Sequence, residues 1–170
     1  MNALVKKTIE SADLTVITEV GILEAAGERG AHLRREIEDN DFFYQFFRRL
    51  ERSNQQVLLL GETEEETELA RAFIQEEFPR VLIQGVYTLN DHNGDEDAII
   101  NDMNAEGASV IISVIPSPRQ EYFLASQRDK LAANLWYGVG EGRFLRPKNR
   151  IATGFMKLFR TKKLMKYIKS

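Results

Sequence analysis

From Gln55 to Val139, short apolar runs alternate with stretches in which apolar residues recur every three or four positions. Val57-Leu58-Leu59-Leu60 is continuous and ends at Gly61, the pattern of a strand buried on both faces. Thr63 stands where a helix would be capped, with Glu66 three residues on to complete a capping box. Leu69, Ala70, Phe73 and Ile74 then share one helical face, and Pro79 marks the stop. A second strand begins at Val81-Leu82-Ile83. Residues 90–95 are turn-rich, Asp95 is placed to cap a helix carrying Ile99, Ile100 and Met103, and Gly107 fits its C-terminal stop. Residues 109–115 predict a third strand, Pro118 opens a helix to about Leu131, and residues 135–139 predict a fourth strand. Strands alternating with helices across short connections predict an α/β fold, a parallel sheet with helices on both faces.

The first third is less regular. Residues 3–11 read as a helix, 14–17 as a short strand and 20–28 as a second helix. Asp41 can cap a helix that carries Phe42, Phe43, Phe46, Phe47 and Leu50 on one face. Packing into the core explains so dense an aromatic cluster; a dimer surface is the alternative.

With 170 residues, 43% hydrophobic and 29% charged, the chain has the size and mixture of one globular domain. It has no cysteine, which excludes disulfides and thiolate metal sites. The N-terminal sequence shows no apolar core of a signal peptide, and no run approaches the roughly 20 apolar residues of a membrane span. A cytoplasmic location is expected. The net charge of -3 hides an asymmetry. Residues 146–170 carry nine bases and no acid, while residues 1–145 carry 14 bases against 26 acids. The division that follows is an α/β domain over 1–145 and a basic tail over 146–170. An acidic body argues against nucleic acid as partner.

Several constellations have plain explanations. Gly138, Gly140 and Gly142 alternate, but no strand and no ribose-binding acid follow, so a tight turn is the better reading. Asp91, Asn93, Asp95 and Asp97 alternate like a calcium loop with the glycine misplaced, and read as a solvated loop with a helix cap. His32 and His92 lack partners at metal-ligand spacing and read as surface residues. Neither a metal nor a cofactor is expected.

Pro118-Arg119-Gln120-Glu121, after a strand and at the opening of a helix, resembles the Pro-Lys-Gln-Glu motif of the WecG/TagA/CpsF glycosyltransferases. Met103-Asn104 resembles that family's Ile-Asn pair, and Ala12-Asp13-Leu14 its Ala-Asp-Leu before the catalytic turn. Gly138-Val139-Gly140 resembles its late Gly-Val-Gly, and residues 57–62 its central strand and glycine. The landmarks run in register over about residues 3–145. The resemblance implies a Rossmann-like fold and transfer of a sugar, typically N-acetylmannosamine, from UDP to a lipid-linked acceptor in envelope polysaccharide synthesis. It assigns the UDP-sugar to Arg119, Gln120, Glu121, Gly138, Gly140 and, through a loose alignment, Arg35. A helix start at the C-terminal end of a strand suits phosphate, and Arg119 adds charge.

The departures bear on catalysis. The family's Asp-Gly turn is Thr18-Glu19 here, and a hydroxyl acceptor needs a carboxylate to take its proton. Thr18 cannot serve, so Glu19 is the candidate base. Pro116 replaces a glycine before the motif, Arg143-Phe144 replaces a Phe-Asp pair, and the family's N-terminal strand and Asn-containing acceptor segment have no counterpart in the sequence. Two readings follow: a shortened glycosyltransferase working alone, as a homo-oligomer or with a partner chain, or a non-catalytic relative that keeps the fold for nucleotide-sugar binding or assembly. Residues 154–170 also form a basic amphipathic pattern suited to an anionic membrane surface, which would put the protein at the inner face of the membrane.

Overall fold

The computed structural model describes residues 2–28 and 30–139. The tail over 146–170 and Gly140 lie outside them. The described residues form two compact units, one from residues 2–15 and 45–139 and one from residues 16–44.

The larger unit is built on four parallel strands, β1 (Gln56–Gly61), β2 (Leu82–Thr88), β3 (Val110–Ser113) and β4 (Leu135–Gly138), in the order β2-β1-β3-β4. Its helices, numbered along the whole chain, are α1 (Ala3–Glu10), α5 (Glu64–Glu77), α6 (Glu96–Glu106) and α7 (Arg119–Gln127), with the 45–53 part of α4 (Asp41–Ser53). The connection β1-α5-β2 runs one way across the sheet, and β2-α6-β3-α7-β4 runs back past β1. Right-handed crossovers therefore put α5 on one face and α6 and α7 on the other. Side chains alternate along each strand accordingly. Leu58, Leu60 and Ile111 join Ile99, Ile100 and Met103 of α6 and Phe123 of α7 in one core. Trp136 stacks on Phe123 at 5.7 Å between ring centroids. In α4, Phe47 stacks on Phe78 at 4.9 Å, and Phe46 meets Tyr137 at 4.1 Å. This is the Rossmann-like parallel sheet expected, with every residue from Val57 to Leu60 at most 1% exposed.

The differences from expectation are local. Thr63 accepts from the Glu66 N–H at 3.4 Å, but Glu66 Oε2 is buried without a partner, so the capping box is half formed. Leu69 is exposed, and Thr67 takes its place in the buried stripe of α5. Thr67 can be buried because its hydroxyl donates to the Thr63 and Glu64 carbonyls. Its methyl lies where a Cβ on Gly61 would come within 2.7 Å, so only glycine lets the end of β1 approach α5. The helix after Pro118 ends at Gln127 and continues as a single 3₁₀ turn, Arg128–Lys130.

The smaller unit holds α2 (Val20–Ala25), α3 (Ala31–Glu38) and the first residues of α4. Residues 14–17 are not a strand. Leu14 is 65% exposed, and these residues join no ladder of the sheet, so their apolar run has no face to bury. The α3 helix was not expected; none of its residues is buried, so it lacks the apolar stripe that would reveal it. Within α4, Phe43, Tyr44, Phe47 and Leu50 are buried and Phe42 is exposed, which rotates the buried face by one residue from the one expected.

Candidate functional site

In an open parallel sheet, ligands bind beyond the C-terminal ends of the strands, where neighbouring connections leave in opposite directions. Here that point lies between β1 and β3. The chain leaving β3 is held on both sides: the Val114 N–H donates to the Leu60 carbonyl at 2.9 Å, and the Ser113 carbonyl accepts from Val139 at 2.8 Å. The Pro116 carbonyl then accepts from the Gln120 N–H at 3.1 Å and closes the first turn of α7. No side chain caps that helix start.

Gln120 and Gly138, two of the residues singled out by sequence, meet. A Cβ on Gly138 would lie 2.7 Å from both Nε2 and Oε1 of Gln120, so the absent side chain is what seats the amide over the end of β4. Gln120 Oε1 is buried with no hydrogen-bond partner among the described residues. Glu121 is 8% exposed, and its Oε2 is likewise buried and unpartnered. Leaving two buried acceptors without donors costs about 1–3 kcal/mol each.

Arg119 does not project freely. Its Nη2 donates to Glu96 Oε1 at 2.7 Å, and Gln127 Nε2 donates to Glu96 Oε2 at 2.9 Å. One carboxylate on the first turn of α6 thus spans two turns of α7. The sequence reading missed Glu96 and Gln127. The signal was available: the crossover order places α6 beside α7, so acids on the first turn of α6 face the arginine of the motif.

The surroundings are acidic. Residues 61–66, 88–98 and 113–122, which follow β1, β2 and β3, hold nine acids and one Lys or Arg, Arg119. Some of these acids serve the backbone. Asp91 accepts from the Thr88 N–H and hydroxyl at 2.7 and 2.8 Å, and Asp95 caps α6 through the N–H groups of Asp97 and Ala98. An open depression of about 600 Å³ beside β2 is lined by Glu64, Glu68, Arg71, Thr88 and Asp91 among others. A second, of about 440 Å³, lies between α2 and α3, where Arg34 pairs with Glu24. Neither includes a residue of the 116–121 turn.

The chain matches the Glycosyl transferase WecG/TagA/CpsF family over residues 1–143. It belongs to that family. Among curated proteins none matches. The match covers both units and includes every site residue named from the sequence. In this WecG/TagA/CpsF member, Arg119, Gln120, Glu121 and Gly138 lie in the sheet unit. Glu19 and Arg35 lie in the 16–44 unit, Glu19 as the exposed N-cap of α2 and Arg35 as an exposed residue of α3. Thr18 precedes that cap. No helix among the described residues is long and apolar enough to cross a membrane.

Proposed function

We propose that this family member binds a UDP-sugar at the start of α7, above the ends of β3 and β4, and hands the sugar to a lipid-linked acceptor of envelope polysaccharide synthesis. The observation that carries the reading is the seat of Gln120 on Gly138, with Gln120 Oε1 and Glu121 Oε2 buried and lacking donors. The N–H of a nucleobase and the hydroxyls of ribose or sugar are donors of the kind such acceptors take. The uncapped helix start offers N–H groups to the diphosphate. Arg119 supplies charge, and Gly140 and Arg35 complete the ligand set by family resemblance. Calorimetry with UDP and several UDP-sugars tests this. Arg119→Ala should weaken binding by about 1.5–3 kcal/mol, the range for a charge-assisted bond. No binding of any uridine nucleotide at millimolar concentration would sink the reading.

Glu19 is the proposed base, since Thr18 stands where the family has its acid. A displaced base predicts slow transfer, because losing a well-placed one costs about 10²–10⁴ in rate. Turnover with UDP-N-acetylmannosamine and a lipid-linked acceptor should be low and abolished by Glu19→Gln. Tight UDP-sugar binding with no turnover at all would instead favour the second reading, a non-catalytic relative, for which Thr18 is the supporting observation. The basic residues 154–170 are proposed to contact anionic lipid beside the acceptor. Sedimentation with anionic vesicles at low salt should pull down the full chain and leave a chain lacking 154–170 in solution.

A further inference from the structure

We infer that Glu96 is a built-in competitor for the charge that would meet the diphosphate: it holds Arg119 against α6, and an anionic ligand at the start of α7 must displace it. The inference rests on the nucleotide-sugar reading above and adds a residue that the motif does not contain.

The pair has the features of a contact made to open. Arg119 is the single Lys or Arg in the segments that follow β1, β2 and β3, so those segments can supply positive charge in no other way. Its guanidinium is already bound, 2.7 Å from Glu96 Oε1. The Arg119 side chain is 43% exposed and that of Glu96 19%, so the arginine is the partner with room to leave. Glu96 would not be stranded by its departure. Its other oxygen keeps the Gln127 amide at 2.9 Å, and its place in the first turn of α6 favours a carboxylate through the helix dipole. Side chains in a helix lean toward its N-terminus, so the stem of Arg119 already starts toward the strand ends.

Other bonds tie the segment just after α7 to α6. Lys130 pairs with Asp97, Asn104 donates to the Lys130 carbonyl at 2.8 Å, and Asn104 Oδ1 accepts from the Ala132 N–H at 2.8 Å. Phe123 is fully buried beneath the same helix. A carboxylate that occupies the one Lys or Arg of the segments following β1, β2 and β3 is placed to set the threshold for binding.

The test compares wild type, Glu96→Gln, Arg119→Ala and the double variant. Glutamine keeps the shape and can still bond Gln127, but loses the charge. UDP and inorganic pyrophosphate should bind Glu96→Gln about two- to fivefold more tightly than wild type, the scale of a partly exposed ion pair. The double variant should bind no more tightly than Arg119→Ala. A purely structural Glu96 predicts the opposite sign, weaker binding with a lowered melting temperature, and that result would overturn the inference. A second measurement needs no ligand. Phenylglyoxal should modify Arg119, read by peptide mass, faster in Glu96→Gln than in wild type. Equal rates would overturn the latch even if UDP binds. Faster labelling with no nucleotide bound by any variant would keep the latch and remove the nucleotide reading instead. Should Glu96→Gln fold poorly, Glu96→Asp, which withdraws the carboxylate by one methylene, must shift both readouts in the same direction for the inference to stand.

Discussion

In β1 and β3 every residue from Val57 to Leu60 and from Val110 to Ser113 is buried. Residues 16–44 bury only Leu23, Phe43 and Tyr44 among those described and leave Ile17, Ile22, Leu33 and Phe42 exposed. The helix α3 has no buried residue, and its ion pairs include those of Arg34 with Glu24 and Glu38, whose side chains are about half exposed or more. Exposed pairs of this kind contribute about 0–1 kcal/mol. Local opening should therefore cost little in the smaller unit and nearly the full unfolding free energy in the strands. The contrast maps onto function. Apart from Arg35, the described residues of the proposed nucleotide seat stand on the stiff unit, and the proposed replacement base, Glu19, is the N-cap residue of a six-residue helix in the soft one. Binding should then survive changes that erase transfer.

The largest expected effect tests that contrast directly. Ile111→Ala removes a side chain 1% exposed in the central core and should destabilise the protein by about 2–5 kcal/mol in chemical denaturation. Ile22→Ala removes one that is 53% exposed and should change stability by no more than about 0.5 kcal/mol. Comparable losses would mean that residues 16–44 are as firmly packed as the sheet, and the contrast would fall.

Two glycines at strand ends sharpen it next. Alanine at Gly61 would put a Cβ 2.7 Å from the buried Thr67 methyl carbon and 3.2 Å from Val114, so overpacking should cost about 1–3 kcal/mol. Alanine at Gly138 meets first the amide end of Gln120, which can swing away, so less than about 1 kcal/mol of stability should be lost. The swing unseats Gln120, and UDP affinity should fall although the melting temperature hardly moves. A Gly138→Ala variant with unchanged UDP affinity would detach Gln120 from the site.

What the sequence revealed follows the same division. The runs 57–60 and 109–115, the Asp95 cap and the Gly107 stop were legible because burial and backbone geometry restrict which residues can stand there; Gly107 sits at φ +71°. The α3 helix was not, because exposed positions leave no periodic trace, and residues 14–17 misled because an apolar, β-branched run does not tell whether a sheet edge is there to take it. The site was legible as a motif and a place, Arg119 to Glu121 at a strand end. Its wiring was not. Glu96 reaches Arg119 across 23 positions of sequence, and only the crossover order brings the two together. The seating of Gln120 on Gly138 likewise depends on β3 and β4 being neighbours in register, Ser113 opposite Gly138.

A smaller expected effect than those of Ile111→Ala and Gly61→Ala asks how far the stiffness of the sheet extends to its edge. Tyr87 lies on β2, the edge strand, and its hydroxyl donates to Glu106 Oε1 at 3.3 Å. Burial, then the charge and hydrogen bond of Glu106, with Asp102 and Asp91 adding to them, push its pKa up to about 12. All of these act against the phenolate, which would be desolvated beside carboxylates. Because the folded pKa lies above the unfolded value near 10, the folded chain holds this proton longer than the unfolded one. The stabilising contribution is complete below about pH 10 and is lost as pH rises toward 12. Tyr87→Phe should cost roughly 0.5–1.5 kcal/mol at neutral pH, the net value of one hydrogen bond, and should flatten the alkaline decline. Subtracting its phenolate absorbance titration from that of wild type isolates Tyr87, and the difference should show no step near pH 10 while the protein stays folded. A full step there would mean that burial and Glu106 do not hold the Tyr87 proton, and this contribution at the β2 edge would fall away.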